Sequence, residues 1–191
     1  MQKATKRKQI LQQLTGLKLD IHEAKSLAII EKVLASPDYQ NAKTIGITIS
    51  RFPEVNTTSL IEAAWQDGKQ VAVPKCIAST RHMDFRLINS FDQLETVYMD
   101  LREPIIEKTT SVAKSMIDVQ IVPGVVFSNK GYRIGFGGGY YDRYLNDYTG
   151  NTISLAFDCQ TGHEVPVEAH DVPVAKIMTE TRIIACQESS K

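Results

Sequence analysis

A glycine-rich stretch followed by aromatic and charged residues is the part of this 191-residue chain best suited to chemistry. It runs from Arg133 to Leu145, and five of the chain's 11 glycines lie between Gly131 and Gly139. Glycines permit positive φ and close approach of a ligand, and the start of a following helix presents unpaired N–H groups. This combination predicts a site for an anion such as a phosphate. The same glycines also fit a tight turn without a ligand.

The place of the glycine run in the chain favours the anion site. A buried strand over residues 119–122 precedes it, and helix-forming residues from Tyr140 onward follow it. Strand, glycine loop and helix in this order are the context that phosphate binding requires. No P-loop motif is present, and residues 135–140 fail the last position of the dinucleotide fingerprint G-x-G-x-x-G. The site therefore belongs to neither of those two classes.

Two cations near the N-terminus are candidates to face this site. Residues 2–14 predict a helix with one apolar stripe, and Lys3 and Arg7 project within that stripe rather than opposite it. The stripe consists of Ile10, Leu11 and Leu14. We expect the helix to dock with both cations towards a pocket. Alternatively, their aliphatic stems follow the protein body and the charged heads reach water.

A carboxylate follows the first predicted strand. Residues 44–49 predict that strand, residues 59–66 a helix, and residues 70–73 the next strand, which we expect Pro74 to stop. The loop between the first strand and the helix lies where open α/β sheets bind ligands. Glu54 is thus a candidate to face the ligand, and the alternative is an ordinary exposed loop residue.

Three local sequence patterns predict the remaining helices and loops that must position these groups. Residues 20–23 resemble a capping box that opens a helix to Ala35, which makes His22 a surface residue of the first turn. Ser90 and Gln93 have capping-box spacing, and residues 102–111 are typical of a loop. We expect a mixed sheet in this middle part of the chain.

Composition restricts the class of protein. The 22 Lys and Arg balance the 22 Asp and Glu, so no global field attracts nucleic acid or an anionic membrane. The three cysteines lack metal-site spacing, no apolar run approaches 18 residues, and no signal peptide is evident. We expect a cytoplasmic monomer without nucleic-acid or membrane partners.

The stretch from Arg133 to Leu145, RIGFGGGYYDRYL, resembles the signature of the 5-formyltetrahydrofolate cyclo-ligases. Further matches occur in the family's order along nearly the whole chain. They are Lys3 with Arg7, Glu54 with Thr57, residues 82–85, residues 123–124, Gln160 and residues 170–171. The resemblance and the strand–helix alternation imply one Rossmann-like three-layer α/β domain over residues 1–191. Its mixed, mostly parallel sheet would be flanked by helices, as in CoA-transferases and sugar isomerases, with the N-terminal helices of residues 2–35 packed on this body.

The resemblance implies an enzyme that uses ATP and Mg2+ to convert 5-formyltetrahydrofolate into 5,10-methenyltetrahydrofolate. In the family scheme, ATP phosphorylates the formyl oxygen, the folate N10 attacks the activated carbon, and phosphate leaves. The partner is a reduced folate, with or without a polyglutamate tail. Phosphoryl transfer requires placement and neutralisation of charge, which cations, backbone N–H groups and Mg2+ provide.

The resemblance also implies roles for individual residues. The proposed catalytic residues are Arg7, Arg133 and Tyr140. The ATP-binding residues would be Lys3, Ala4, Thr5, Lys6, Arg7, Arg133, Ile134, Gly135, Phe136, Gly137, Gly138, Gly139, Tyr140 and Tyr141. The folate-binding residues would be Ile49, Glu54, Gly137, Gly138, Gly139, Tyr140 and Tyr141. The Mg2+ ligands would be Asp142 and Asp171.

Other interpretations of these residues remain open. Asp142 fits a first-turn helix position, Asp171 a turn, and Tyr140 with Tyr144 ordinary core packing. The sequence departs from the family pattern at Gly138, where some members have lysine, and at Ser128 and Lys6. Two other classes remain as alternatives: a phosphosugar isomerase or CoA-transferase-like enzyme, and a nucleotide-binding module without catalysis.

Overall fold

The structure is a computed structural model that describes residues 2–186, over which it forms five α-helices and twelve strands. The helices are α1 (Lys3–Thr15), α2 (Leu19–Ala35), α3 (Pro37–Asn41), α4 (Thr58–Gln66) and α5 (Tyr140–Leu145). The strands are β1 (Thr44–Gly46), β2 (Gln70–Ile77), β3 (His82–Ile88), β4 (Leu94–Thr96), β5 (Arg102–Pro104), β6 (Thr110–Ser111), β7 (Val119–Ile121), β8 (Val126–Phe127), β9 (Arg133–Ile134), β10 (Asn151–Leu155), β11 (Lys176–Met178) and β12 (Ile183–Ala185). In these residues, no helix has both the length and the apolar character needed to cross a membrane.

Eight strands form the central sheet in the order β12-β11-β10-β7-β1-β2-β3-β6. The five strands from β11 to β2 pair in parallel, and antiparallel strands extend the sheet at both ends. Two short hairpins, β4–β5 and β8–β9, lie outside it. The prediction of a mixed, mostly parallel sheet flanked by helices is confirmed. That residues 1–191 form a single domain stays a prediction.

Alternating side chains of the sheet enter two separate apolar clusters. Val71 and Val73 of β2 pack in the cluster that contains Ile10 of α1, whereas Ala72 belongs to the other cluster, with Tyr144 of α5. Successive residues of a strand point to opposite faces, so each cluster covers one face of the sheet. Helices α1, α2 and α4 contribute to the first cluster. This arrangement places α1 and α5, the two helices nearest the glycine run, on different faces.

The strands around the first ligand-facing loop differ from the prediction. β1 ends at Gly46 rather than Ile49, and β2 continues through Pro74 to Ile77. Pro74 is tolerated because the parallel pairing with β1 ends at Ala72, so from there β2 pairs in the sheet only with antiparallel β3. The prediction that Pro74 stops the strand was wrong, and the longer β2–β3 hairpin reaches the candidate site.

Three local predictions can be judged from the same structure. The Ser90–Gln93 capping box is confirmed at the start of a 3-10 helix over Phe91–Gln93. The capping box at residues 20–23 was wrong, because α2 begins at Leu19 and Asp20 lies inside its first turn. Residues 102–111 are not a plain loop, since β5 and β6 pair there with β4 and β3. Residues 102–111 form strands because they pair with β4 and β3, and no local sequence pattern indicates that pairing.

Candidate functional site

The glycine run joins the short β8–β9 hairpin to α5. Val126 pairs with Ile134, and the chain then passes through the glycines to Tyr140. Gly137 has φ of +101° and Gly139, which precedes α5, has φ of +70°, values that residues with a Cβ rarely adopt. Helix α5 has only six residues, so any anion affinity must come mainly from the loop and from neighbouring cations. The predicted strand before the run is β7 and the predicted helix after it is α5, but the β8–β9 hairpin, which was not predicted, lies between β7 and the glycines.

Arg7 reaches the glycine run from α1. Its Nε donates a 2.7 Å hydrogen bond to the Gly135 carbonyl, and a Cβ added to Gly137 would lie 3.8 Å from Nη2 of Arg7. The stripe residues Ile10 and Leu14 are buried at the base of the same helix. Arg7 has no carboxylate within ion-pair distance among residues 2–186. The prediction that Arg7 turns inward with the apolar stripe is therefore confirmed.

Two further cations of α1, Lys3 and Lys6, contact the segment that follows residue 163. Lys3 forms ion pairs with Glu168 (3.2 Å) and Asp171 (3.7 Å), and Lys6 donates to the Glu164 carbonyl. Ala4 and Thr5 are exposed between them. These contacts attach α1 to the segment that carries Asp171, so α1 connects two parts of the candidate site.

Arg133 is a buried partner of Asp142. Its Nη2 lies 2.9 Å from Asp142 Oδ1 and its Nη1 donates to the Val172 carbonyl, while only 5% of the side chain is exposed. The same Asp142 oxygen accepts the Val172 backbone N–H at 3.1 Å. Burial lowers the pKa of the Arg133 guanidinium, and the Asp142 charge opposes this effect. Arg133 thus connects β9 to the first turn of α5 and to the segment at Val172.

The two predicted Mg2+ ligands both lie near Arg133, whose pKa responds to the charges of Asp142 and Asp171. Asp171 Oδ2 accepts the Glu168 backbone N–H at 2.8 Å, and ligand atoms of Glu168, His170 and Asp171 lie within 4.8 Å of one another. Among residues 2–186, Asp142 Oδ2 has no hydrogen-bond partner. Asp142 does not belong to this group of three. Mg2+ prefers carboxylate oxygens completed by phosphate and water, so Asp142 and Asp171 suit the ion by their chemistry.

Glu54 lies in the loop after β1, next to the sheet edge. Its Oε1 accepts the Arg51 backbone N–H at 3.3 Å. Burial raises the pKa of the Glu54 carboxyl to about 7, although that hydrogen bond and the Arg51 charge oppose the rise. Ile49 is half-buried at the base of the loop, against the first cluster. Glu54 is therefore not an ordinary exposed loop residue.

His22 holds this loop in place, and its prediction as a surface residue was wrong. Only 4% of the residue is exposed, and its Nε2 donates to the carbonyls of Glu54 (2.9 Å) and Pro53 (3.3 Å). Its ring packs between Phe52 and Phe157, with centroids 5.1 and 5.2 Å away. The signal was present in the sequence, because His22 shares one helical face with the buried residues Ser26, Ile29 and Val33.

The tyrosines at the start of α5 have different environments. The Tyr141 hydroxyl is buried and has no hydrogen-bond partner within residues 2–186. Burial raises the pKa of this hydroxyl well above its ordinary value, and the nearby Cys76 and Glu54 add to the effect. The Tyr140 ring covers Gly138, where a Cβ would lie 2.6 Å from a ring carbon. Tyr144 packs against Phe85 in the second cluster, which confirms its core-packing interpretation.

Arg81, at the tip of the β2–β3 hairpin, reaches the glycine run from a second direction. Its Nη1 donates a 2.7 Å hydrogen bond to the Gly138 carbonyl, and its backbone has φ of +57°. No sequence pattern marked this residue, because the hairpin becomes long enough only when β2 continues past Pro74. The glycine run is thus contacted by two arginines from elements distant in sequence.

Comparison with known proteins gives one consistent result. A family model described as the 5-formyltetrahydrofolate cyclo-ligase family matches residues 1–180. The chain is 30% identical over 187 residues to the mouse 5-formyltetrahydrofolate cyclo-ligase, covering 91% of each chain. It is 31% identical over 157 residues to that of Escherichia coli K12, covering 80% of this chain and 86% of the relative.

Two solved structures resemble this one over nearly their full lengths. The Aquifex aeolicus 5,10-methenyltetrahydrofolate synthetase aligns with a TM-score of 0.86 at 26% identity, covering 100% of this chain and 96% of the other. The Mycoplasma pneumoniae 5,10-methenyltetrahydrofolate synthetase aligns with a TM-score of 0.76 at 27% identity, covering 94% and 99%.

Proposed function

The chain belongs to the 5-formyltetrahydrofolate cyclo-ligase family, and on that basis we propose that it converts 5-formyltetrahydrofolate and ATP into 5,10-methenyltetrahydrofolate, ADP and phosphate. The observation that carries the proposal is the match to this family over residues 1–180. The hydrogen bond of Arg7 to the glycine run and the half-buried Glu54 carboxyl, whose pKa is raised, are consistent with that match.

The reaction divides into two steps. The formyl oxygen attacks the γ-phosphorus of ATP, and the bond to the departing ADP oxygen breaks. The folate N10 then attacks the formyl carbon, the carbon–oxygen bond breaks, and phosphate leaves with that oxygen as N10 loses its proton. Neither step requires a covalent bond to the protein, so the residues must place the reactants and neutralise charge.

We assign the phosphates of ATP to the glycine run and to α1. Arg7 uses Nε for the Gly135 carbonyl, which leaves the terminal nitrogens of its guanidinium to donate to phosphate oxygens. Residues 3–6 and 133–141 are the other residues proposed to bind ATP. Among them, Arg133 acts mainly by holding β9 and Asp142 in position. Of the three residues predicted to be catalytic, Arg7 and Tyr140 remain candidates for direct contact with the reactants, and we propose that Arg133 acts as a positioning residue.

We assign the folate to the space between the Glu54 loop and residues 137–141. The Glu54 carboxyl can accept hydrogen bonds from pterin N–H groups, and Ile49 offers an apolar surface at the base of the loop. The buried Tyr141 hydroxyl has a free donor that a substrate oxygen could satisfy. A buried hydroxyl without a partner is unfavourable unless a ligand completes it.

Asp142 and Asp171 are the proposed Mg2+ ligands, and the ion would supply neutralisation of the phosphate charge when bound. Their own contacts already orient them, since Arg133 holds Asp142 and the Glu168 N–H holds Asp171. We further propose a cytoplasmic monomer that uses reduced folates with or without polyglutamate tails. Three cysteines without a disulfide among residues 2–186 support the reducing compartment.

The test is direct. Purified protein, 5-formyltetrahydrofolate, ATP and Mg2+ should give the absorbance of the methenyl product together with one ADP per product formed. Reactions without ATP, or with a metal chelator, serve as controls. If no product forms in the presence of ATP, the proposed activity is wrong, and a separate assay of ATP binding then tests the non-catalytic alternative.

A further inference from the structure

One face of α2 holds the loop that carries Glu54 through two buried polar side chains. His22 Nε2 donates to the carbonyls of Pro53 and Glu54. Ser26 Oγ, one turn further along α2, accepts the Asn56 backbone N–H at 3.1 Å. Residues four apart on a helix lie on the same face, so a single turn of α2 contacts the loop on both sides of the Glu54 side chain.

Both backbone polar groups of Glu54 are paired within the protein. Its N–H donates to the Arg51 carbonyl at 2.9 Å, and its own carbonyl accepts the His22 Nε2–H at 2.9 Å. The side chain is therefore the part of Glu54 that can face a ligand. Its Oε1 accepts the Arg51 backbone N–H, whereas among residues 2–186 its Oε2 has no hydrogen-bond partner. His22 thus fixes the main chain from which this free oxygen projects, without contacting the oxygen itself.

The chemistry of histidine suits this position. Both partners of Nε2 are carbonyl oxygens, which only accept, so Nε2 must carry a proton. The ring packs between Phe52 of the loop and Phe157 of the first cluster, which is fully buried. Imidazole therefore offers an apolar ring to the core and an N–H to the loop. Without that N–H, the two loop carbonyls lose their donor, and they regain one only if the loop moves towards water.

We propose that His22 is a positioning residue for the folate: it sets the place of the Glu54 carboxyl, and hence the affinity for the folate, without touching a reactant. The inference rests on the proposed function, in which Glu54 accepts hydrogen bonds from the pterin. Helix α2 contains none of the residues proposed to bind ATP, which lie at positions 3–7 and 133–141. The effect of His22 should therefore be confined to the folate.

Three substitutions of His22 separate its hydrogen bonds from its packing. His22→Phe keeps an aromatic ring between Phe52 and Phe157 but removes the N–H donor. His22→Leu also removes the donor and is smaller, in case the Phe ring does not fit. His22→Gln keeps an N–H donor and removes the ring. Ser36→Ala is the matched control, because Ser36 is buried and its hydroxyl makes two hydrogen bonds, of 2.6 and 3.3 Å, away from the Glu54 loop.

The measurements are the Kd for 5-formyltetrahydrofolate without ATP, by calorimetry, the KM for ATP, and the free energy of unfolding. His22→Phe and His22→Leu should raise the Kd for the folate about tenfold, with the KM for ATP unchanged. His22→Gln should lie closer to the parent than either of them. Ser36→Ala should lower the free energy of unfolding and leave the Kd for the folate at the parent value.

The pH profile of kcat/KM for the folate gives a second readout, which a loss of stability alone would not move. Burial raises the pKa of the Glu54 carboxyl to about 7 in the parent. In His22→Phe the looser loop exposes this carboxyl to water, so the apparent pKa should fall towards 4.5, the ordinary value. Arg51 and the Tyr141 hydroxyl, the charged and titratable groups near Glu54, stay in place in this variant.

A parent-like Kd for the folate in His22→Phe and His22→Leu overturns the proposal. An equal rise in the KM for ATP would show a general loosening of the protein and would overturn it as well. Failure of the proposed function looks different, because the parent itself would then form no ATP-dependent product from the folate.

Discussion

Replacing Glu54 by Gln should make the protein more stable at alkaline pH and less active. Burial raises the pKa of the Glu54 carboxyl from 4.5 to about 7. Between these values the unfolded chain has released this proton while the folded protein still holds it, so stability falls as the pH rises from about 4.5 to 7. The full difference corresponds to at most about 3 kcal/mol. Glutamine does not titrate, so the variant lacks this loss.

Urea unfolding at pH 5 and pH 8 measures the effect. The parent should lose about 2.5 kcal/mol more of its free energy of unfolding between these pH values than Glu54→Gln does. Glu62→Gln is the control, because Glu62 is exposed on α4 and has no described partner in residues 2–186. At pH 8, where most of the Glu54 carboxyl is ionised, kcat/KM of Glu54→Gln for the folate should fall by about tenfold to a hundredfold, because a neutral amide replaces a charged hydrogen-bond acceptor. If the free energy of unfolding changes equally with pH in parent and variant, the environment of Glu54 does not raise the pKa of its carboxyl, and the reasoning is refuted.

Further changes test the remaining contacts of the site. Arg7→Lys keeps the charge but loses the guanidinium geometry at Gly135, so the KM for ATP should rise about tenfold, and an unchanged KM would remove Arg7 from the phosphate site. Asp142→Asn leaves the buried Arg133 without a counter-charge, so the free energy of unfolding measured without Mg2+ should fall by about 3 kcal/mol. Equal stability would show that this ion pair does not stabilise the fold. Gly131→Ala places a Cβ 2.3 Å from a backbone oxygen at φ of +85°, whereas the Cβ of Gly135→Ala meets nothing within 4 Å. The free energy of unfolding of Gly131→Ala should therefore be lower than that of Gly135→Ala by more than about 2 kcal/mol. Similar melting temperatures of the two variants would contradict the close approach at Gly131.

Features set by nearby residues could be predicted from the sequence. Glycine spacing indicated the loop between β9 and α5, and helical periodicity indicated that Arg7 shares a face with Ile10 and Leu14. Both depend on backbone geometry over one or two turns of chain, which the local sequence determines. The central strands were found for the same reason, since apolar runs of this kind must be buried.

Features that depend on residues distant in the chain could not be predicted from the sequence. Arg81 reaches Gly138 only because β2 continues through Pro74, and that depends on where neighbouring β1 ends. The ion pair of Lys3 with Asp171 joins residues far apart in the chain, so no spacing rule reports it. His22 is an intermediate case: it shares a helical face with the apolar residues Ile29 and Val33, but the overlapping capping-box pattern is typical of an exposed first turn.

The contact between Arg7 and Gly135 also has a consequence for how the protein is made. These residues are 128 positions apart, and the helix that carries Arg7 leaves the ribosome before Gly135 does. At roughly 5–20 residues per second, roughly 6–25 seconds pass before its docking partner has been synthesised. During that interval the apolar stripe of α1 has nothing to cover it from the β8–β9 region. A nascent chain stalled before residue 135 therefore lacks the contact between Arg7 and Gly135 on which the proposed ATP site depends.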